Sequence, residues 1–306
     1  MRLLPAPVLG LVTLTCIMIN TLFWSFFLFG IVFLKAIIPE SRWRLFCSRV
    51  AVGIAGLWVD GNGLILRLTQ RIDWDVRGLE GLKRSKWYLI VCNHRSWADI
   101  LVLQKVLNKK IPFLRFFLKQ QLIWVPVLGL AWWVLDFPFM KRYSRELLEK
   151  KPHLKTKDME TTRSACNKFR HMPVSLINFL EGTRFTPSKR DRQSSPYQHL
   201  LLPKAGGIAY ALEAMGGCLA EILDVTIVYP RSDISFWDLL SGRLGRIVVR
   251  VERMPVPEDV LGKDYQVDAE FRRRFRAWVN QLWLKKDAMI GQMTASFSGG
   301  QDGAQE

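Results

Sequence analysis

The chain has 306 residues, of which 49% are apolar, so most of it can bury a core and is not disordered. Its 44 lysines and arginines outweigh 27 acidic residues, and the resulting net charge of +17 favours an anionic neighbour. The basic residues are spread along the chain without the spacing of a nucleic-acid-binding motif, so nucleic acid is not expected as a partner. Five cysteines and four histidines, none with metal-ligand spacing, predict neither a disulfide framework nor a metal site, and a cofactor-free reaction is expected.

The N-terminal segment, residues 1–40, is predicted to lie in a membrane. No charged residue occurs from Leu3 to Leu34, whereas about 20 apolar residues suffice to cross the hydrocarbon core. A signal peptide would have a shorter apolar region followed by a cleavage site. The surplus length allows a tilted span or a helix that bends near Asn20. More arginines follow the segment than precede it, so the rest of the chain is predicted to face the cytoplasm.

A second apolar stretch lies within residues 41–70 and is interrupted by the sequence Asp60-Gly61-Asn62-Gly63. A second full span would place the remaining chain on the opposite side of the membrane. We therefore predict an interfacial or re-entrant arm here. An amphipathic helix that packs on the following domain is an equal alternative.

Residues 71–290 alternate apolar strands with amphipathic helices, which predicts a single α/β domain. The candidate strands are 74–77, 87–92, 134–139, 174–180, 224–229 and 246–251. The polar stretch 185–199 is predicted to be a long loop, either a lid or a plain solvated connection. An apolar stripe that begins at Phe271 and Phe275 predicts a helix packed on its own domain, or else one lying on anionic lipid. The tail, residues 291–306, is predicted to be disordered.

One short segment, Asn93 to Ile100, joins the buried strand 87–92 to a helix and contains His94 and Asp99. A histidine oriented by a carboxylate is the usual arrangement of a general base. Alternatively, Asp99 is half of a Ser-x-x-Asp capping box that begins at Ser96. A second alternative pairs the Cys92 thiolate with His94 as a covalent nucleophile, because residues two apart in a strand share a face.

Four ordered motifs extend this pattern: His94-x-x-x-x-Asp99, Phe139 to Arg142, Phe179 to Arg184, and Val225 to Pro230. Together they resemble the motifs of the glycerolipid acyltransferases, the lysophosphatidate acyltransferase superfamily, over nearly the whole chain. The resemblance implies a mixed, largely parallel sheet flanked by helices. It also implies a membrane-bound enzyme of the bacterial inner membrane, with its catalytic domain facing the cytoplasm.

The resemblance and the chemistry of the side chains assign candidate roles. His94 is the candidate base and Asp99 the residue that orients it. Arg184 can fork onto two phosphate oxygens, as expected for a substrate-phosphate ligand. Backbone N–H groups near Ser96 and Trp97 are candidate oxyanion donors, and the Val225 to Pro230 motif, with Thr226 in place of a common proline, is predicted to form pocket wall. The further candidate substrate-binding residues are Glu181, Gly182, Thr183, Lys204, Lys141 and Arg142.

The implied reaction transfers a fatty acyl group from acyl-CoA or acyl-ACP to the sn-2 hydroxyl of 1-acylglycerol 3-phosphate, which gives phosphatidic acid. The expected partners are the lysophospholipid, the acyl thioester, an anionic membrane surface and, for an ACP donor, acyl carrier protein. Two alternatives stay open: an acceptor with a larger headgroup, and a membrane-anchored protein that binds lipid phosphate without catalysis. An oriented base at His94 and Asp99 argues against a protein that only binds lipid.

Overall fold

A computed structural model describes residues 4–38, 40–137, 139–140, 172–215, 219–257, 265 and 268–298. Its helices are α1 (Ala6–Ile37), α2 (Ser41–Thr69), α3 (Ala98–Leu107), α4 (Leu128–Val134), α5 (Pro187–Arg192), α6 (Ala205–Met215), α7 (Phe236–Leu240) and α8 (Ala269–Ser298). Its strands are β1 (Asp73–Arg77), β2 (Trp87–Cys92), β3 (Leu114–Phe116), β4 (Leu118–Lys119), β5 (Phe139–Met140), β6 (Ser175–Phe179), β7 (Leu219–Val228) and β8 (Arg246–Met254).

Six strands form one mixed sheet in the order β1-β8-β7-β2-β6-β3. All neighbouring pairs are parallel except β7 with β8, which is antiparallel. The short strands β4 and β5 pair separately. The α/β class and the mixed, largely parallel sheet are therefore confirmed, and the apolar run of β2 occupies a central position because both of its faces are buried.

The sheet separates two hydrophobic layers, and alternate residues of β2 contribute to each. Ile90 and Cys92 belong to the layer that also contains residues of α1, α2 and α3. Leu89 and Val91 belong to the opposite layer, which contains residues of α6 and α8. The two faces of the sheet thus have different neighbours: the apolar N-terminal helices on one side and the C-terminal helix on the other.

Helices α1 and α2 pack against each other as an antiparallel hairpin. At the middle of the hairpin the Asn20 amide donates to Trp58 O and to Asn62 Oδ1, at 3.0 and 2.9 Å. Gly61 allows this approach, since a Cβ there would lie 2.3 Å from Asn20 Oδ1. The Asp60-Gly61-Asn62-Gly63 sequence therefore lies within a continuous helix. Both helices are long and apolar enough to cross a membrane, by length and composition.

The expected strand 134–139 is wrong for most of its length. Its first residue ends α4, and of its five described residues only Phe139 is in a strand, β5. An aromatic apolar run such as Leu128 to Val134 does not distinguish a short buried helix from a strand by periodicity. The strand β3, which the sequence analysis missed, lies nearby, and buried Arg115 within it donates to Leu135 O at 2.7 Å. This bond satisfies a carbonyl at the end of α4.

The apolar stripe of α8 packs as predicted, whereas the predicted tail and the predicted loop 185–199 are partly helical. The stripe on α8 packs on its own domain, with Phe271 and Phe275 buried in the layer opposite α1 and α2, as predicted. The helix then continues to Ser298, eight residues into the segment expected to be a tail, because Ile290 and Phe297 still contact that layer. The stretch 185–199 is not wholly a loop either, since it contains the short helix α5, which Thr186 caps.

Candidate active site

The candidate catalytic residues lie where three neighbouring strands end. β2, β6 and β7 run parallel, so their carboxyl ends meet at one edge of the sheet. His94 follows β2, Glu181 follows β6 and Tyr229 follows β7. Asn93 links two of these segments, because its side chain exchanges two 2.9 Å hydrogen bonds with the backbone of Ile227. Open α/β sheets commonly place their ligand sites at this edge.

The structure brings His94 and Asp99 together. His94 Nδ1 lies 2.8 Å from Asp99 Oδ2, and only 12% of the histidine side chain is exposed. A carboxylate accepts from this nitrogen only if it bears the proton, which leaves Nε2 unprotonated and able to accept one. The imidazole also stacks on the Phe179 ring, with centroids 4.1 Å apart and an interplanar angle of 18°. The ring is therefore held both at its edge and on its face.

Asp99 is buried and receives hydrogen bonds at both oxygens. The backbone N–H groups of Arg95 and Ser96 donate to Oδ2 at 2.7 and 3.0 Å. The Tyr229 hydroxyl donates to Oδ1 at 2.6 Å. These donors supply the hydrogen bonds that a carboxylate with 0% exposure needs, and they fix its position beside His94.

These contacts settle two expectations for the loop. The Ser96 N–H was a candidate oxyanion donor, but it is already donated to Asp99, so this assignment is wrong. The capping-box interpretation is half correct. Ser96 N–H contacts the Asp99 carboxylate, whereas Ser96 Oγ accepts from Ala98 N at 3.2 Å instead of from the Asp99 backbone. Asp99 thus organises the helix start and orients His94 at the same time.

Glu181 is fully buried beneath the His94 loop. Its Oε1 accepts from His94 N at 2.8 Å, and its Oε2 accepts from Leu201 N at 3.0 Å. Burial raises the pKa of this carboxyl to about 7, against the lowering effect of the two backbone hydrogen bonds. Glu181 was a candidate substrate-binding residue. Its oxygens instead accept from two backbone groups, so it joins the loop that carries His94 to the segment at Leu201.

The residues after Glu181 form an exposed basic turn. Gly182 has φ +65°, a conformation that favours glycine, and a Cβ there would lie 3.0 Å from Lys204 Cδ. Arg184 is exposed, and its guanidinium carbon lies 5.4 Å from the centroid of the exposed Trp97 ring, near His94 in the chain. Lys204 N donates to Leu180 O at 2.7 Å, which ties the start of α6 to this turn. The structure therefore places Lys204 against Gly182, with Arg184 two residues further along the same turn.

Two residues of the site were not singled out from sequence. Tyr229 was placed in pocket wall, yet its hydroxyl contacts Asp99. Lys189 was assigned to a polar loop, yet its ammonium contacts Thr183 Oγ1 at 3.1 Å and Arg184 O at 2.8 Å. The Tyr229 contact depends on how separate strand ends converge, whereas Lys189 reaches residues only five and six positions before it, across the turn that leads into α5. The remaining candidates, Lys141 and Arg142, lie outside the described residues.

Cys92 does not fit the role of a covalent nucleophile. It has 0% exposure in the core layer of α3, and burial raises the pKa of its thiol well above the ordinary value. A thiol that is buried and protonated at neutral pH cannot attack a thioester. Among the described residues, no group of three or more histidine, cysteine, aspartate or glutamate side chains could hold a metal ion.

The edge of the sheet thus combines a histidine oriented by a buried carboxylate with an exposed cationic turn. The model of the acyltransferase family matches residues 73–230, which contain all of these groups. The chain therefore belongs to the acyltransferase family. This membership confirms the resemblance to the glycerolipid acyltransferases.

Individual relatives are distant but consistent. The 1-acyl-sn-glycerol-3-phosphate acyltransferase gamma of Mus musculus is 25% identical over 182 residues, which cover 56% of this chain and 43% of that protein. The chain thus spans less than half the length of this relative. Lysocardiolipin acyltransferase 1 of Danio rerio is 25% identical over 296 residues, which cover 92% of this chain and 70% of that protein.

A solved structure shares the fold. The crystal structure of the 1-acyl-sn-glycerophosphate (LPA) acyltransferase PlsC from Thermotoga maritima superposes with a TM-score of 0.51 and 17% identity. The match covers 89% of this chain and 95% of that one.

Proposed function

We propose that the protein acylates the sn-2 hydroxyl of 1-acylglycerol 3-phosphate with a fatty acyl group from acyl-CoA or acyl-ACP, giving phosphatidic acid. The observation that carries this proposal is the 2.8 Å contact of His94 Nδ1 with buried Asp99, next to the cationic turn at Arg184. Membership of the acyltransferase family and the similarity to the 1-acyl-sn-glycerol-3-phosphate acyltransferase gamma of Mus musculus support the same reaction.

The chemical step is a single acyl transfer. The acceptor hydroxyl attacks the thioester carbonyl carbon while His94 Nε2 takes its proton. Asp99 stabilises the imidazolium that forms, and Tyr229 keeps Asp99 in place. The C–S bond then breaks, and the departing thiolate receives the proton from His94. A thiolate leaves readily, so neither a metal ion nor another cofactor is required.

The acceptor phosphate is assigned to Arg184 and Lys204. Both are exposed cations. The missing side chain of Gly182, in the turn after β6, leaves room for Lys204 to lie against the backbone of that turn. A phosphate held here positions the acceptor hydroxyl at His94, which converts an encounter between two molecules into an ordered reaction. Lys189 fixes the turn through Thr183 and the Arg184 carbonyl.

The two N-terminal helices support a location at a membrane. We propose that α1 and α2 hold the chain at the bacterial inner membrane with the catalytic domain facing the cytoplasm. The exposed apolar side chains of α1 and the excess of arginines after it support this placement. The net charge of +17 would also attract the domain to anionic lipid.

The acceptor is tested with a panel of lysophospholipids and a labelled acyl thioester, using the detergent-purified full chain. We expect lysophosphatidate to be the preferred acceptor. We also expect Arg184→Gln to raise its KM by about tenfold, because one charge-assisted contact is lost. Arg192→Gln, at an exposed arginine of α5, is the matched control and should leave the KM unchanged.

Each other outcome has a defined meaning. Preference for a lysophospholipid with a larger headgroup would move the acceptor while keeping the reaction. Binding of lysophosphatidate without any transfer, by protein that is folded, would contradict the enzyme and favour a protein that only binds lipid.

A further inference from the structure

A cavity of about 550 Å³ lies beside the candidate active site and shares Tyr229 with it, although most of its lining is formed by other side chains. It lies between the segment after β2, the residues after β7, the stretch around α5 and the end of α8. We call it the Arg95 cavity, after the residue that follows His94. Its volume is within the range of small-molecule sites, about 300–1,000 Å³, and is larger than a single phosphate needs.

The lining of the Arg95 cavity is cationic. Among the described residues that line it, Arg95, Arg190 and Arg231 are basic, whereas Asp233 is acidic. Arg231 forms an ion pair with Asp238, which does not line the cavity, with 3.2 Å between Nη2 and Oδ1. The Arg231 side chain is 54% exposed. Such a set of guanidinium groups favours a ligand with several anionic oxygens.

The surroundings of the Arg95 side chain also indicate an anionic ligand. Its guanidinium carbon lies 4.2 Å from the centroid of the Phe185 ring, and Phe185 also lines the cavity. Its Nη1 is buried and has no hydrogen-bond partner among the residues that the structure describes. A buried guanidinium nitrogen without an acceptor is costly, and an anion bound in the cavity would supply one.

The position of the cavity indicates which phosphate it would take. Thr294 of α8 lines it, and α8 packs on the face of the sheet opposite α1 and α2. One wall of the cavity therefore belongs to the face away from the apolar helices, from which a water-soluble ligand would approach. Tyr229 also lines the cavity while contacting Asp99, so the cavity adjoins the catalytic residues.

We propose that the Arg95 cavity binds a phosphate group at the head of the acyl donor, the phosphate to which the pantetheine arm of the thioester is attached. This inference rests on the proposed function, since it assumes an acyl thioester as substrate. The acceptor phosphate is held separately by Arg184 and Lys204. The donor and the acceptor thus reach His94 from different sides of the loop that carries it.

The test measures ligand binding without transfer, by calorimetry on the detergent-purified full chain. The probes are coenzyme A, pantetheine, glycerol 3-phosphate and inorganic phosphate. We expect coenzyme A to bind at least about tenfold more tightly than pantetheine, which lacks the phosphates. We expect Arg231→Gln to weaken coenzyme A binding by about fivefold and the more buried Arg95→Gln by about tenfold or more.

Arg243→Gln is the matched control. Arg243 also faces Asp238, at 3.9 Å, and is 52% exposed, but it is not among the residues that line the cavity. We expect its affinity for coenzyme A to stay within twofold of that of the wild type. An equal loss in the Arg231 and Arg243 variants would overturn the proposal, because the effect would then come from Asp238.

The other probes separate the sources of phosphate. If Arg231→Gln weakens glycerol 3-phosphate binding and spares coenzyme A, the cavity takes a lipid headgroup and the proposal fails. If inorganic phosphate competes as well as coenzyme A, the cavity is an unspecific anion site and the proposal also fails. Arg231-dependent coenzyme A binding in a protein without transferase activity would uphold the cavity and reject the proposed function instead.

Discussion

Asp99 is the residue on which the candidate site depends most. One carboxylate receives two backbone N–H groups, the Tyr229 hydroxyl and the His94 ring, and it has no exposure to water. Because each donor fixes one direction at the carboxylate, the orientation of His94 is determined by groups from both β2 and β7. A change at any of these donors should therefore act on catalysis through His94.

Tyr229→Phe tests this dependence with the loss of one atom. The variant leaves Asp99 Oδ1 without its hydroxyl donor, which should destabilise the protein by about 1–3 kcal/mol. We expect kcat to fall by about tenfold and the KM for lysophosphatidate to change little, because the hydroxyl does not contact the acceptor. A change in the pH profile of kcat would separate positioning of the base from simple loss of stability.

Tyr197→Phe is the matched control for Tyr229→Phe. Tyr197 is a similarly buried tyrosine, and its hydroxyl makes only a 3.4 Å contact with Asn280 O. We expect this variant to retain the wild-type kcat. Equal losses of kcat in the two variants would show that Tyr229 has no particular role.

Glu181 gives a prediction for the dependence of stability on pH. Its pKa is raised from 4.5 to about 7 on folding, so the folded protein binds more protons than the unfolded chain between these values. Stability from this group is fully present below pH 4.5 and is lost as the pH rises through 7, by roughly 3 kcal/mol in total. Wild type should therefore lose stability relative to Glu181→Gln as the pH rises from 5 to 8.

Thermal unfolding of wild type and Glu181→Gln at several pH values measures this difference. The glutamine places its amide against one of two backbone N–H groups, so the variant should be less stable at every pH. Only the slope with pH tests the prediction. A difference in melting temperature that does not change from pH 5 to 8 would show that Glu181 titrates normally.

At the residue scale, the sequence predicted His94, Asp99 and Arg184 because their spacing is local and follows recognisable strand ends. It did not predict the hydrogen bond from Tyr229 to Asp99 or the backbone hydrogen bonds that Glu181 accepts. Tyr229 lies 130 residues from Asp99, and Leu201 lies 20 residues from Glu181. These contacts depend on strand order in the sheet, which a single sequence does not specify.

Helix α8 packs on the sheet and makes polar contacts with the central strand β7. Lys286 from this helix is 1% exposed and pairs with Asp224 of β7 at 2.5 Å. It also donates to Val225 O and to Thr226 Oγ1, at 2.7 and 3.0 Å. The unusual threonine of the fourth motif is thus the partner of a buried lysine. The helix is joined to the strand that carries Tyr229 by polar contacts as well as by apolar packing.

Lys286→Met should destabilise the protein by about 3–5 kcal/mol, because Asp224 would remain as a buried charge without its cation. Lys285→Met, at the exposed neighbouring position, should change the stability by less than about 0.5 kcal/mol. Chemical unfolding of both variants in the same detergent measures the difference. Similar stabilities of the two variants would contradict a structural role for the buried pair.

At the element scale, the sequence was most accurate where the apolar pattern was continuous and bounded. It gave β2 from Trp87 to Cys92 without error. It failed at α4 and β3, where short apolar segments suit either a helix or a strand. There the outcome is decided by tertiary contacts, such as that of Arg115 with Leu135 O.

On the scale of the whole molecule, the hairpin of α1 and α2 covers one face of the sheet and presents apolar side chains outward. Phe26 is 75% exposed and Phe33 is 67% exposed on α1. The hairpin is tied to the α/β domain by Gln70, whose amide donates to Thr13 Oγ1 and to Leu240 O. The membrane expected from sequence would therefore contact the outer face of the hairpin. A full crossing of the membrane by the hairpin remains a prediction from the length and composition of the two helices.

Phe26→Asp tests whether that outer face lies in lipid. A carboxylate in the hydrocarbon region costs about 2.5–3.5 kcal/mol, so less of the variant should remain in membranes after an alkaline carbonate wash. Leu284→Asp, which changes a side chain 63% exposed on α8, is the control and should remain as wild type does. Equal retention of both variants would show that the outer face of α1 does not contact the membrane.

The proposed acyl transfer depends on His94 acting as the base that activates an acceptor hydroxyl. The most direct measurement is the rate at which wild type and His94→Ala form phosphatidic acid from lysophosphatidate and a labelled acyl thioester, with folding checked by circular dichroism. We expect wild type to form phosphatidic acid and the folded variant to be slower by about 10²–10⁴-fold. A folded His94→Ala protein with a rate within a few-fold of wild type would contradict the account.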